Sequence, residues 1–156
     1  MKKVMFISSM GGHLTELMQL KSLFNKYDYK IVTEKHKSTI GLKDEYKDKI
    51  EYLSTGNRNN MFKYIFTLPY NFIKSFILFI KFKPDIVITT GAHTCVAMCY
   101  FAKLFRKKVI YIESFANIET KTLTGKLIYP IADVFVVQWK SMLKFYPKAK
   151  YEGWIF

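Results

Sequence analysis

Four apolar residues, Val4-Met5-Phe6-Ile7, run straight into Ser8-Ser9-Met10-Gly11-Gly12-His13-Leu14-Thr15-Glu16. Beyond that loop, apolar residues recur at helical spacing: Leu14, Leu17, Met18, Leu20, Leu23 and Phe24. A strand, a glycine turn and a helix in that order commit the chain to an α/β unit. The layout turns backbone N–H groups and the positive end of a helix towards any anion held there. Paired glycines let such a ligand approach the backbone, because no Cβ stands in the way. His13, in the first helical turn, reaches the same place. An ordinary βα turn has the same layout, and Gly-Gly alone does not separate the two readings. Neither G-x-G-x-x-G nor G-x-x-x-x-G-K-S/T is present, so spacing excludes two common phosphate loops.

The strand–helix alternation continues along the chain. Tyr29-Lys30-Ile31-Val32-Thr33 reads as a second strand ending at Glu34, an acid that either meets a ribose or is simply solvated at a strand end. Residues 34–49 are charged and read as irregular, with His36 solvated between two lysines. Ile50-Glu51-Tyr52-Leu53 is a short third strand, and Gly56-Asn57-Arg58-Asn59-Asn60 a loop ending in a helix cap. Asp85-Ile86-Val87-Ile88-Thr89-Thr90 runs into a second glycine turn, Gly91-Ala92-His93-Thr94, and then a helix over Cys95–Phe105. Lys108–Ile112 and Asp133–Val137 complete six strands. Continuous apolar strands separated by helices predict a single Rossmann-like α/β domain, with a mostly parallel sheet covered on both faces. Ligands of such sheets sit outside the carboxyl ends of the strands, where both glycine turns and their histidines converge. Glu113, ending the fifth strand at that edge, is a base, a hydroxyl acceptor, a loop cap or a partner for a lysine. Thr120–Lys126 is hydroxyl-rich and suited to close over a substrate. The tail, Tyr146 to Phe156, ends in aromatics that are either tucked into the core or used against a partner.

Composition narrows the function classes. A length of 156 residues makes one domain with a real core. Half the residues are hydrophobic, which excludes disorder. A formal charge of +13 suits nucleic acid, anionic lipid or phosphorylated ligands. The lysines are scattered among apolar aromatic runs and no nucleic-acid motif occurs, so a membrane surface and an anionic substrate fit better. Met1-Lys2-Lys3 enters the first strand with no signal-peptide core. Cys95 and Cys99 stand in an apolar run and read as buried thiols, with neither a disulfide nor zinc suggested.

Residues 61–82 carry Phe62, Ile65, Phe66, Leu68, Phe72, Ile73, Phe76, Ile77, Leu78, Phe79 and Ile80. Lys63, Lys74 and Lys81 fall within about 20° of one line on a helix, joined by Thr67 and Tyr70. A bilayer span needs about 20 apolar residues, and three lysines with Pro69 weigh against one. A helix lying in the interface, its lysines reaching the headgroups, fits the pattern. The alternative is a buried helix, or two broken at Pro69.

The runs SSMGGHLTE (Ser8–Glu16), DIVITTGAHT (Asp85–Thr94), IYIES (Ile110–Ser114) and LTGK (Leu123–Lys126), with Gln138-Trp139 and Tyr146-Pro147, together resemble the Alg14 family. The likeness extends to its bacterial branch in capsular and exopolysaccharide biosynthesis. It implies the N-terminal half of a GT-B glycosyltransferase, related to the amino-terminal half of MurG enzymes. In such split enzymes this half binds membrane and lipid-linked acceptor, and a separate Alg13-like chain supplies the nucleotide-sugar half. No metal or cofactor is implied. The resemblance makes His13 and Glu113 the catalytic candidates. Ser9, Gly11, Gly12, Thr90, Gly91, His93, Thr94, Ser114 and Thr124 become contacts for the acceptor and its diphosphate. Phe62, Lys63, Phe66, Phe72, Lys74, Phe76, Phe79 and Lys81 are the expected membrane contacts. Eukaryotic members begin with a membrane-spanning segment and this sequence does not, so attachment is expected through 61–82, the basic surface or the partner. A rival expectation is a non-catalytic anchor for a self-sufficient transferase.

Overall fold

A computed structural model of the protein describes residues 1–56 and 61–155, apart from the side chains of 61–64. The helix cap expected at the end of the Gly56–Asn60 loop and the contacts expected of Phe62 and Lys63 lie outside the described residues. In chain order the elements are β1 (Lys3–Ser8), α1 (Gly12–Met18) with a 3₁₀ extension (Gln19–Lys26), β2 (Asp28–Lys35), α2 (Leu42–Tyr46), β3 (Ile50–Ser54), α3 (Met61–Phe82) and β4 (Ile86–Gly91). There follow a 3₁₀ turn (His93–Cys95), α4 (Val96–Leu104), β5 (Lys108–Ile112), α5 (Leu123–Ile128), β6 (Val134–Val137) and β7 (Lys150–Tyr151). The stretch 34–49, expected to be irregular, contains the short helix α2. Asp44 and Glu45 in its first turn suit the positive helix end, and no apolar period announces so short an element.

All seven strands are parallel, in the order β3-β2-β1-β4-β5-β6-β7. The six expected strands are present, and β7 adds a two-residue edge. Alternate residues of β1 explain its unbroken apolar run. Met5 and Ile7 join Val32, Leu53, Val87 and Val109 in a core closed by Phe79 of α3 and by Met98, Cys99 and Ala102 of α4. Val4 and Phe6 face the other way, with Ile31, Ile88, Leu14, Leu17 and Phe24. Cys95 and Cys99 are buried free thiols, as their apolar surroundings indicated.

α3 departs from both sequence readings in part. The helix is continuous through Pro69. Ile65–Phe82 is long and apolar enough to cross a membrane, yet only 11% of it is buried, which excludes a core helix. Phe66 is 67% exposed, and Phe72, Ile73, Phe76 and Ile77 are also exposed. Phe79 is the exception among the expected membrane contacts. It is 2% exposed, packed against Phe101 and Phe105 of the α4 region, and serves the core. The angular spacing puts Phe79 beside the buried Ser75, whereas Phe66, Ile73 and Ile77 lie on the opposite side.

Candidate functional site

Because every strand runs the same way, the loops that follow them gather at one edge, and the strand order reverses between β1 and β4. That switch point opens a crevice in sheets of this kind. Gly11 has φ +80°, a conformation that favours glycine, and a side chain there or at Gly12 would meet nothing within 4 Å. The first glycine turn therefore presents bare backbone to open space.

His13 stands beside it. Its Nδ1 lies 2.8 Å from the Thr90 carbonyl oxygen, and the Thr90 hydroxyl donates to the His13 carbonyl at 2.7 Å. A carbonyl only accepts, so Nδ1 carries the proton and the neutral ring keeps its lone pair on Nε2. Gly91, at φ +96°, permits this packing. A Cβ there would come within 3.3 Å of His13 Cε1.

The second glycine turn is tied to the first. Ser9 N donates to the Gly91 carbonyl at 2.9 Å. Ala92 N donates to Ser9 Oγ at 3.3 Å, the Ser9 and Thr94 hydroxyls lie 2.7 Å apart, and Thr94 donates to Glu34 Oε1 at 2.7 Å. His93 Nε2 is 3.4 Å from the same oxygen. The expected solvated end of β2 is corrected here. Glu34 is 3% exposed, because the turn after β4 brings Thr94 and His93 onto its carboxylate.

On the other flank, Glu113 is 1% exposed. Its carboxylate accepts from Ser114 N at 3.0 Å, Tyr111 Oη at 3.4 Å, Thr122 Oγ1 at 3.0 Å and Tyr146 Oη at 3.0 Å. Burial pushes its carboxyl above the ordinary value, against the pull of these donors. Thr122 also caps α5 by accepting from Gly125 N. The arrangement braces α5 and the β5 loop, and turns no carboxylate face to the open edge. Ser114 and Thr124 are buried as well. Ser114 Oγ donates to Glu16 at 2.9 Å. The structure thus brings Ser9, Gly11, Gly12, His13, Thr90, Gly91, His93 and Thr94 together at the two glycine turns, and sets Glu113, Ser114 and Thr124 behind them.

Glu16 and Gln138 belong to the motifs that carry the family likeness but were not among the candidate site residues. Glu16 accepts from Ser114 Oγ, Phe115 N and Gln138 Nε2, and burial raises its carboxyl too. Helical spacing gave no signal, because Glu16 lies about 160° around α1 from Leu14; the side it occupies is buried by Ser114, Phe115 and Gln138, about a hundred residues on. Gln138 also donates to the Glu113 carbonyl and accepts from Ile155 N, fastening the tail. There Phe115, Trp139 and Trp154 pack with centroids 4.9–5.6 Å apart, and Trp154 is exposed.

An apolar groove of about 420 Å³ runs between α3 and α4. Leu68, Pro69, Phe72, Val96, Ala97 and Tyr100 wall it, and His93 and Thr94 line it at the turn before α4. Through the exposed Leu68 and Phe72 it meets the apolar surface of α3, and through His93 and Thr94 it meets the polar edge.

Known proteins share this architecture. Over half the length of a MurG from Acinetobacter baumannii remains unmatched: the superposition has TM-score 0.73 at 18% identity, covering 90% of this chain and 43% of that one. A UDP-N-acetylglucosamine 2-epimerase from Rickettsia bellii gives 0.74 at 18% identity, covering 99% of this chain and 45% of that one. At such identity the likeness is one of fold. Sequence relatives include two proteins named UDP-N-acetylglucosamine transferase subunit ALG14. The mouse protein is 30% identical over 97% of this chain and 82% of its own length. The Candida albicans protein is 29% identical over 92% and 73%. Residues 4–155 match the family model described as "Oligosaccharide biosynthesis protein Alg14 like", and the chain belongs to that family.

Proposed function

We propose that this chain is the acceptor-binding, membrane-facing subunit of a two-component glycosyltransferase. It works with an Alg13-like donor-binding partner at the cytoplasmic face of the membrane. The reaction moves a sugar from a UDP-sugar to a lipid-diphosphate-linked saccharide. The observation that carries the reading is the continuity of the polar edge, where His13 stands over open glycine backbone, with an apolar groove and an exposed apolar helix. An amphiphile with a diphosphate between its sugar and its hydrocarbon chain matches that sequence of surfaces.

In the reaction, His13 Nε2 takes the proton of the acceptor hydroxyl as its oxygen bonds to the anomeric carbon of the donor sugar. The bond from that carbon to the UDP oxygen breaks, and UDP leaves with the electron pair. Gly11 and Gly12 offer backbone N–H groups to the acceptor diphosphate. Glu113 acts by holding the β5 loop and α5. The +13 charge and the flanking Lys74 and Lys81 favour an anionic lipid surface. Because α3 stays packed on α4 through Phe79, the helix lies in the interface and does not cross it. The exposed Trp154 platform faces the partner. Service in capsule or exopolysaccharide assembly rests on the motif resemblance alone; the relatives named above are eukaryotic.

The test is transfer from radiolabelled UDP-sugars, UDP-N-acetylglucosamine first, to membrane lipid extracts. This chain alone, the partner alone and both together are compared. Transfer by the pair only is expected. Full transfer by the partner alone would make this chain an anchor and remove His13 from the chemistry.

A further inference from the structure

We infer that Glu34 is a positioning residue of the acceptor edge, fixing His93 as the contact for the phosphate nearest the hydrocarbon chain. The inference rests on the acceptor reading above. A carboxylate as enclosed as Glu34 is stable only where polar partners meet it, and its partners are a loop hydroxyl that donates and an imidazole nitrogen 3.4 Å away, not core groups. Each hydroxyl has one proton. Since the Thr94 proton goes to Glu34, Ser9 must donate to Thr94, and Ser9 in turn accepts from Ala92 N. The relay therefore has a fixed sense with the carboxylate at its end, and it runs through both glycine turns. The same oxygen lies 3.4 Å from His93 Nε2, close enough to pair with the ring and hold it at the turn.

His93 and Thr94 line the groove where it meets the turn before α4. Its walls are otherwise apolar but for Asn71, whose amide is spent on Ser54, and the buried Ser75. A chain laid in the groove puts its first polar group, the phosphate it is esterified to, against His93. The second phosphate then lies towards Gly11 and Gly12, because Gly91, two residues before His93, packs on His13. Two turns far apart in sequence, joined through Ser9, hold the two phosphates at a fixed spacing, and Glu34 anchors the second turn at the end of that relay.

Two measurements decide the matter. In the assembled pair, Glu34→Gln retains an acceptor for Thr94 but removes the charge facing His93. The expected result is an acceptor KM raised about tenfold, the scale of one charge-assisted contact, with donor KM and kcat little changed. His93→Gln should do the same, and the double variant should be no worse than His93→Gln alone. Additive losses, or equal losses in donor and acceptor KM, would overturn the assignment. The second measurement needs no activity. In the full chain labelled with ¹⁵N in its histidine rings, farnesyl diphosphate should shift the His93 signals at lower concentration than inorganic pyrophosphate does. Glu34→Gln should weaken that response, and Glu34→Asp should restore part of it if Glu34→Gln proves poorly folded. Identical titrations in wild type and variants would sink the proposal even if the pair transfers sugar. A silent pair with the expected titrations would instead fault the functional reading.

Discussion

His13 takes its orientation from a backbone carbonyl and not from a carboxylate, so its placement depends on β4 keeping Thr90 in register with the first turn. Replacing it with Gln should lower kcat of the assembled enzyme by about 10²-fold or more, the usual range for a lost general base. The accompanying stability loss is one hydrogen bond, about 1 kcal/mol, measured by urea unfolding of the isolated chain. Unchanged transfer would exclude His13 as the base. Gly125 presents a different constraint. Alanine normally favours a helix over glycine by up to about 1 kcal/mol. Here its Cβ would fall 2.3 Å from Tyr146 Oη and 2.5 Å from Glu113 Oε2, two groups already held by each other. Overpacking wins, and Gly125→Ala should destabilise the fold by about 1–3 kcal/mol on the same urea assay. The glycine turns and His13 were legible because the glycines and the strand–loop–helix order mark themselves locally. Glu34 was not, since a charged strand end is buried or solvated according to Thr94, sixty residues on.

Three glutamates do similar work for different elements. Glu16 joins α1 to the β5 loop, Glu113 joins that loop to α5 and Tyr146, and Glu34 joins β2 to the turn before α4. Each is buried, and for Glu113 the consequence is a pH dependence with a definite sign. Its carboxyl is held above the ordinary 4.5 by desolvation, so the folded chain keeps the proton to higher pH than the unfolded chain does. That stabilising contribution is fully present below 4.5 and is lost as pH rises through the raised value. Glu113→Gln has no such titration. The melting temperature of wild type minus that of the variant should therefore decline as pH is raised from about 4 to about 8; a flat or rising difference would contradict the assignment. Among the helices, α3 was legible as apolar with a lysine line, but periodicity alone does not say which arc packs. That choice is made by Phe101 and Phe105, which accept Phe79 and leave Phe66 outside. Phe79→Ala should accordingly cost about 3–5 kcal/mol of stability, whereas Ile73→Ser, on the exposed arc, should leave unfolding within about 0.5 kcal/mol of wild type.

At the scale of the molecule, two surfaces point to a membrane, and they respond to different variables. The net charge of +13 comes from 25 basic and 12 acidic residues spread over the chain, and it attracts an anionic bilayer through solvent. The exposed arc of α3, with Phe66, Ile73 and Ile77, acts only on contact and by removing apolar area from water. Salt separates them, because screening shrinks the Debye length from about 10 Å at 0.1 M to about 3 Å at 1 M. Wild-type chain should sediment with anionic vesicles more strongly than with neutral ones at low salt. At high salt the two vesicle types should bind equally, and the residual binding should belong to α3. Phe66→Ser with Ile73→Ser should then abolish that residual while preserving the salt-sensitive part. If the double variant instead lost binding only at low salt, α3 would be acting through charge. Its exposed apolar arc would then have to be assigned to contact with protein, and the continuity of groove and membrane on which the acceptor reading depends would be broken.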